Sequence, residues 1–342
     1  MAADLNWGIL GTGGIAKAFA RGVAESATGR LVAVGSRSQK SAEEFAAQFN
    51  VPHRHGSYET LLADPQVHAV YISTPHPCHK EWAIKSAEAG KHILCEKPIG
   101  VNAAEASAMI DAARRHDVFL MEAFMYRCHP QTHRLVELLR QKVIGDVRAI
   151  QATFSFAVPF DASSRLLSND LAGGGILDVG CYPVSMARLV AGVANGRNFA
   201  EPIELQAVGH LGTTGVDEYT AAVLKFPGDI IAQLSAGVQV EQENTVRIYG
   251  TKGHIHLPTP WAPARNGGMS KFFVHHAGEE HPQEIVTGPT PFLYSIEADL
   301  VAESIPRRQA APPAMSWDDT LGNMRTLDQW RKAIGLRYRF EA

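Results

Sequence analysis

Two short stretches of the 342-residue sequence carry side chains suited to acid–base work. The first is Glu96-Lys97-Pro98, directly after the apolar run His92–Cys95. An ammonium at the end of such a strand can bind a substrate hydroxyl and lower the pKa of a neighbouring acid–base group. The second is Gly173-Gly174-Gly175-Ile176-Leu177-Asp178-Val179-Gly180-Cys181-Tyr182. Successive glycines let the backbone come close to a ligand or to another domain. If the following residues are helical, Asp178 and Tyr182 share a face. The Tyr182 phenol would then donate or accept a proton at a carbinol or carbonyl, and Asp178 would bind a substrate hydroxyl. Each feature alone has a plainer reading. A lysine after a strand is usually at the surface, and a Tyr–Asp pair one turn apart is usually structural.

A third stretch, Gly11-Thr12-Gly13-Gly14-Ile15-Ala16, fits G-x-G-x-x-A between a strand and a helix. Gly11 permits the tight turn and Gly13 the approach of a pyrophosphate. Gly14 and Ile15 open the helix whose N-terminus favours an anion, and Ala16 keeps helix and strand close. At the end of the second strand an acidic residue would bind a ribose 2′-hydroxyl and repel a 2′-phosphate. The chain has Ser36-Arg37-Ser38 there, and its next carboxylate is Glu43. A guanidinium and two hydroxyls suit a phosphate, so the expected cofactor is NADP(H), with NAD(H) possible should Arg37 point to solvent.

These motifs need a frame. Strands are expected at 7–10, 31–35, 69–73, 92–95 and 118–121. Helices are expected at 15–25, 41–49 (Ser41 as N-cap, with Glu44 at capping-box spacing), 78–89 and 103–116. Apolar strands alternating with helices imply a parallel sheet covered on both faces. Thr74-Pro75-His76 ends one strand in the same crevice as Lys97. After about residue 145 longer strands follow one another, at 147–156, 203–212, 219–226, 230–238, 245–249 and 271–276. Such a run implies an antiparallel sheet. The loops 160–169 and 258–268 should help to build the pocket, and helices at about 291–304 and 317–334 close the chain.

Composition narrows the function classes. The length suits two domains, and 45% hydrophobic with 20% charged residues is ordinary for a globular chain. A net charge of −3 gives no case for nucleic acid or an anionic membrane. No apolar run reaches the ~18 residues a membrane span needs, and no signal peptide precedes the first strand. Cys78, Cys95, Cys128 and Cys181 match no zinc or disulfide pattern, so the expected compartment is the cytoplasm. The pairs His53/His55, His254/His256 and His275-His276 have no matched carboxylate pattern. No metal site is expected.

In order along the chain, the glycine turn, Glu96-Lys97-Pro98 and GGGILDVGCY resemble the Gfo/Idh/MocA oxidoreductases. TPHPCHKEWA, MEAFMYRCHP, YSIEADLVAES and NMRTLDQWR extend the resemblance over essentially the whole chain. It is nearest to the branch of dihydrodiol dehydrogenases, NADP-dependent xylose dehydrogenases and glucose–fructose oxidoreductase. The resemblance implies a Rossmann domain over 1–123, a doubly wound parallel sheet. Residues 124–342 would form an α/β substrate and oligomerisation domain on a large, mostly antiparallel sheet, with helix 317–334 packing back on the first domain. It implies Lys97 and Tyr182 as the catalytic pair and Asp178 as a site carboxylate. Glu96 and Pro98 would shape the cofactor pocket, with Thr74, Pro75, His76 and His79 as cofactor contacts, although relatives often have Asn where this chain has His76. Arg127 and Arg165 would lie near the substrate. The implied substrate is a small polyhydroxylated molecule, a sugar or related cyclic polyol, and the implied assembly a homodimer or homotetramer through the C-terminal sheet. A redox-assisted glycosidase holding NAD, an enzyme oxidising a ring hydroxyl such as C3, and a non-catalytic nucleotide sensor are the competing readings.

Overall fold

The computed structural model describes residues 5–341. Its first half alternates β1 (Leu5–Leu10), α1 (Gly14–Ala24), β2 (Gly29–Gly35), α2 (Gln39–Phe49), β3 (His53–His55), α3 (Tyr58–Leu62), β4 (Ala69–Ile72), α4 (His79–Glu88), β5 (His92–Glu96), α5 (Ala103–Arg115) and β6 (Leu120–Ala123). The strands are parallel, in the order β3-β2-β1-β4-β5-β6. The order reverses between β1 and β4, and such a switch point opens a crevice at the strands' carboxyl ends. Every residue of β1 and β4 is buried, as helices on both faces require.

Two short helices, α6 (Met125–Cys128) and α7 (Pro130–Arg140), lead to β7 (Val147–Ser155). After α8 (Cys181–Ala194) come β8 (Glu204–Leu211), β9 (Asp217–Phe226), β10 (Ile230–Gly237), β11 (Val246–Gly250), β12 (Gly253–Leu257), β13 (Gly268–His276) and β14 (Gln283–Thr290), then α9 (Leu293–Ser304) and α10 (Trp317–Ala333). The second sheet runs β14-β13-β12-β11-β7-β10-β9-β8 and is antiparallel except for the parallel β7–β10 pair. The fold class is therefore the expected one. Helix α8 and the π-helical turn before it pack on one face of this sheet. The opposite face carries exposed Val208, Tyr219, Val223, Ile231 and Val286.

Helix α10 lies against α8 and also against α5 of the first sheet, where Asp328 accepts the Ala103 backbone N–H at 2.9 Å. Beneath it is a buried charge cluster. Asp319 accepts from Arg127 at 2.6 Å and from Arg188 at 2.5 Å, and Arg188 reaches Glu201 at 2.7 Å. The stretch Asn169–Ala194 is long and apolar enough to cross a membrane, but its apolar 18-residue window is buried within the protein.

Several local expectations need correction. Helix α2 begins at Gln39 with Ser38 as its cap, the hydroxyl accepting from the Ser41 N–H, so Ser41 is not the cap. The elements β3, α3, α7, β12 and β14 were not anticipated. Strand β3 has three residues and no apolar alternation, and β14 is largely exposed and polar.

Candidate active site

The glycine turn sits at the switch point of the first sheet. Gly11 has φ +112°, and a Cβ there would come within 2.8 Å of Ser73 Oγ. Gly13 caps α1 without a side chain, and no acid occupies the helix's first turn. Around Gly13 and Gly14 the space within 4 Å of an added Cβ is open. These features fit a pyrophosphate on the helix N-terminus. Thr74 Oγ1, in the same cleft, is buried without a protein partner among the described residues, a polar atom left for a ligand. Ser36 and exposed Arg37 line the cleft beyond β2, with Tyr58 beside them.

The cleft measures about 620 Å³ and lies between the two sheets. From the end of β5 and the segments that follow β4 and β5, including the start of α4, it receives Thr74, Pro75, His76, His79, Glu96 and Lys97. From the second domain come Asp178, Tyr182 and Arg165, with Phe154 and Trp261. Lys97 and Tyr182, 85 positions apart in the chain, thus meet in one cavity.

The contacts are specific. Lys97 Nζ donates to the Asp178 carbonyl oxygen at 2.7 Å and lies 3.7 Å from its Oδ1. The same ammonium is 5.2 Å from the Tyr182 ring centroid. Arg165 Nη1 donates to Asp178 Oδ1 at 2.9 Å. The Tyr182 ring is held edge-on by Phe124 and Phe154, each at 5.1 Å, and by Trp261 at 5.8 Å. Among the described residues its hydroxyl has only the Met125 sulfur, at 3.6 Å, a weak acceptor. The phenol is therefore rigidly aimed yet free to hydrogen-bond a ligand.

Residues Ile176–Gly180 form a π-helical turn that runs into α8 and carries Asp178 to the cleft. Single π turns are frequent at functional sites. Asp217 secures this turn, its Oδ2 accepting the Ile176 N–H at 2.6 Å. Gly174 has φ +109°, and a Cβ there would collide with Asp217 Oδ1. Gly174 and Gly175 thus serve contact with Asp217, and Gly173 the close passage of the Arg165 and Leu166 carbonyls.

Burial and charge set the protonation states. Burial pushes the Asp178 carboxyl up, but the Lys97 and Arg165 cations outweigh it and hold the pKa at about 2. Burial opposes the Lys97 charge, yet Asp178 and its neighbours keep the ammonium above its ordinary value. Burial, then the nearby Glu96, raise the Tyr182 phenol well above its ordinary value. Burial and the neighbouring His79 lower His76 to about 3, so its ring is neutral at physiological pH. Glu96 accepts from the Tyr71 hydroxyl and from the Lys97 backbone N–H.

Two expected site residues, Arg127 and Ser38, do other work, and His79 lines the cleft while serving its structure. Arg127 does not reach the cleft: it is wholly buried against Asp319, Ser185 and the Pro313 carbonyl. Ser38 is turned toward α2 as its cap. The His79 ring lies between the carbonyls of Thr74, at 2.8 Å, and Pro98, at 2.9 Å, and so ties together the two loops at the cleft floor. Met125, Arg265 and Tyr294 line the cleft without having been singled out, and Trp261 and Arg265 come from the loop 258–268. The pair His53/His55 does have a carboxylate partner, Asp64.

Residues 5–124 match the family model described as the oxidoreductase family with an NAD-binding Rossmann fold, GFO/IDH/MocA. Residues 132–256 match the GFO/IDH/MocA C-terminal domain. The chain is 36% identical over 339 residues to trans-1,2-dihydrobenzene-1,2-diol dehydrogenase of Mus musculus, covering 98% of each chain. A 3-ketoreductase from Actinomadura kijaniata, solved with NADP and TDP-benzene, superposes with a TM-score of 0.85 at 25% identity, covering 97% of this chain and 98% of that one. An aldose-aldose oxidoreductase from Caulobacter crescentus, solved with glycerol, gives 0.84 at 25% identity, covering 96% and 97%.

Proposed function

The chain belongs to the GFO/IDH/MocA oxidoreductases, and from that premise we propose that it moves a hydride between NADP(H) and a hydroxyl or carbonyl of a sugar or related cyclic polyol. As a member of that family it is an NAD(P)-dependent oxidoreductase acting on hydroxyl or keto groups. The observation that carries the finer reading is the meeting of Lys97, Asp178 and Tyr182 in the cleft that opens on the glycine turn.

The nicotinamide supplies or takes up the hydride; the side chains orient the substrate and handle its proton. Tyr182 gives a proton to the carbonyl oxygen in reduction and takes it back in oxidation. Its raised pKa favours the donor role in the free enzyme. Lys97 holds the substrate oxygen and keeps positive charge beside the phenol. Asp178 and Arg165 receive neighbouring hydroxyls, and Phe154 and Trp261 provide an apolar wall for a ring. Ser36 and Arg37 favour the 2′-phosphate of NADP.

Self-association as a dimer or tetramer is supported by the apolar side chains on the open face of the second sheet. The four free cysteines suit the reducing cytoplasm.

The test is reduction of NADP⁺, with NAD⁺ in parallel, against aldoses, inositols, glycosides and dihydrodiols, read by nicotinamide absorbance. Turnover on NADP⁺ with one cyclic polyol class is the expected result. Absence of net turnover with all of them would overturn it.

A further inference from the structure

At the edge of the first sheet, far along the chain from the catalytic side chains, two histidines and a buried aspartate converge. Alternate residues of a strand share a face, so β3 presents His53 and His55 together. His53 Nδ1 lies 2.5 Å from Asp64 Oδ2, and His55 Nε2 lies 3.1 Å from the same oxygen. All three donor atoms fall within 4.8 Å of one another. From this geometry we propose that His53, His55 and Asp64 form a binding site for a divalent transition-metal cation of the zinc class.

The donor set fits that class. Two imidazoles and a carboxylate suit zinc, cobalt or nickel, whereas calcium and magnesium take oxygen ligands. Around a cation bonded at about 2.0–2.2 Å, tetrahedral ligand atoms stand roughly 3.4 Å apart. The 3.1 Å spacing of His55 Nε2 and Asp64 Oδ2 approaches that value, the 2.5 Å spacing of His53 Nδ1 would open to reach it, and a cation would take the place of the contacts that now join the two rings to the carboxylate. The carboxylate is already oriented, since its Oδ1 accepts the Gln66 N–H at 2.9 Å. Such outer contacts normally fix metal ligands. The His53 and His55 side chains are 41% and 19% exposed, which leaves water to complete the coordination. One cation opposes the charge: Lys91 Nζ, which donates to the Asp64 carbonyl oxygen at 2.8 Å. That ammonium is committed to two backbone carbonyls, of Asp64 and Val67.

A metal here would clip a three-residue edge strand to the end of α3. The clip adjoins the cleft, because the Ser36 N–H donates to the His55 carbonyl at 3.0 Å.

The experiment uses the full chain, free of affinity tag and treated with chelator. It is titrated with Co²⁺ by visible absorption, then with Zn²⁺ in competition, and thermal unfolding is recorded with and without metal. The expected result is one Co²⁺ per chain, displaced by Zn²⁺, and a higher Tm with metal. His55→Gln and Asp64→Asn should each weaken Co²⁺ binding by at least about tenfold, with the circular dichroism spectrum unchanged. Should either variant misfold, the more exposed His53→Gln provides the same comparison. Failure to bind stoichiometrically, or binding that survives these substitutions and so resides on other histidines, overturns the assignment.

Discussion

Lys97 and Asp178 are joined twice: the ammonium donates to the Asp178 backbone carbonyl at 2.7 Å and lies 3.7 Å from its carboxylate. The carboxylate counters the burial that would otherwise drive the Lys97 pKa down. Asp178→Asn should therefore let burial prevail and lower that pKa. The alkaline limb of the kcat/KM profile is expected to move to lower pH. An unmoved limb would separate Lys97 from the titration.

Tyr182→Phe keeps the ring and its aromatic contacts and removes only the hydroxyl. Positioned acid–base groups are typically worth about 10²–10⁴-fold, so kcat should fall by that order while NADPH affinity, read by fluorescence titration, stays nearly constant. Full turnover in the variant would remove Tyr182 from the chemistry.

Under the proposed function, cofactor choice would rest on Arg37, which lines the cleft. A hydrogen bond to a charged group is worth about 1.5–3 kcal/mol. Arg37→Ala should accordingly weaken NADP⁺ binding by roughly 10–100-fold and leave NAD⁺ little changed. Equal losses for both cofactors would point to a general effect on the pocket.

Arg127 is a stability residue in this structure. Breaking a buried ion pair typically costs about 3–5 kcal/mol. Asp319 keeps Arg188 as a second partner, so Arg127→Met should fall near or below the low end of that range. Chemical denaturation measures the loss. The KM for substrate should not change, whereas a large KM effect would return Arg127 to the pocket.

The Asp217 carboxyl, raised to about 7 by burial, gives a pH signature. The unfolded chain loses this proton near pH 3.8, while the folded chain keeps it to about 7. Between those values the folded state binds more protons, so Asp217 contributes stability below pH 3.8 that is lost as the pH rises through 7. In Asp217→Asn the contribution is absent. The stability difference between variant and wild type should therefore vary over that window, by a few kcal/mol at most. A constant difference would show that Asp217 does not titrate there.

The parallel sheet was legible because its strands are nearly continuous apolar runs broken by glycine turns, and the Gly11 turn announces the cofactor crevice. The meeting of Lys97 and Tyr182 in one cleft was legible from motif order. Arg127 was misleading, because a buried guanidinium and a substrate-binding one look alike until the partner, Asp319, is known, and that partner is distant in sequence. Asp64 escaped for a different reason: though only 9 residues after His55, it lies outside the local pattern of the His53/His55 pair, and the packing of α3 against β3 joins them. The aromatic wall of Phe154 and Trp261 has no periodic signal, since the residues come from different elements of the second domain.

The cluster beneath α10 also bears on the order in which the protein can be made. Arg127 precedes Asp319 by 192 residues and Arg188 precedes it by 131. While the chain is being synthesised, both arginines emerge long before the one carboxylate they share. Until then Arg127 cannot be buried without a large cost, and Arg188 must rely on Glu201, 13 residues on, so the helices bearing them must wait with their charged ends largely hydrated. The second domain is thus expected to reach its final packing only after the last helix has left the ribosome. A nascent chain halted before Asp319 should remain open to proteolysis.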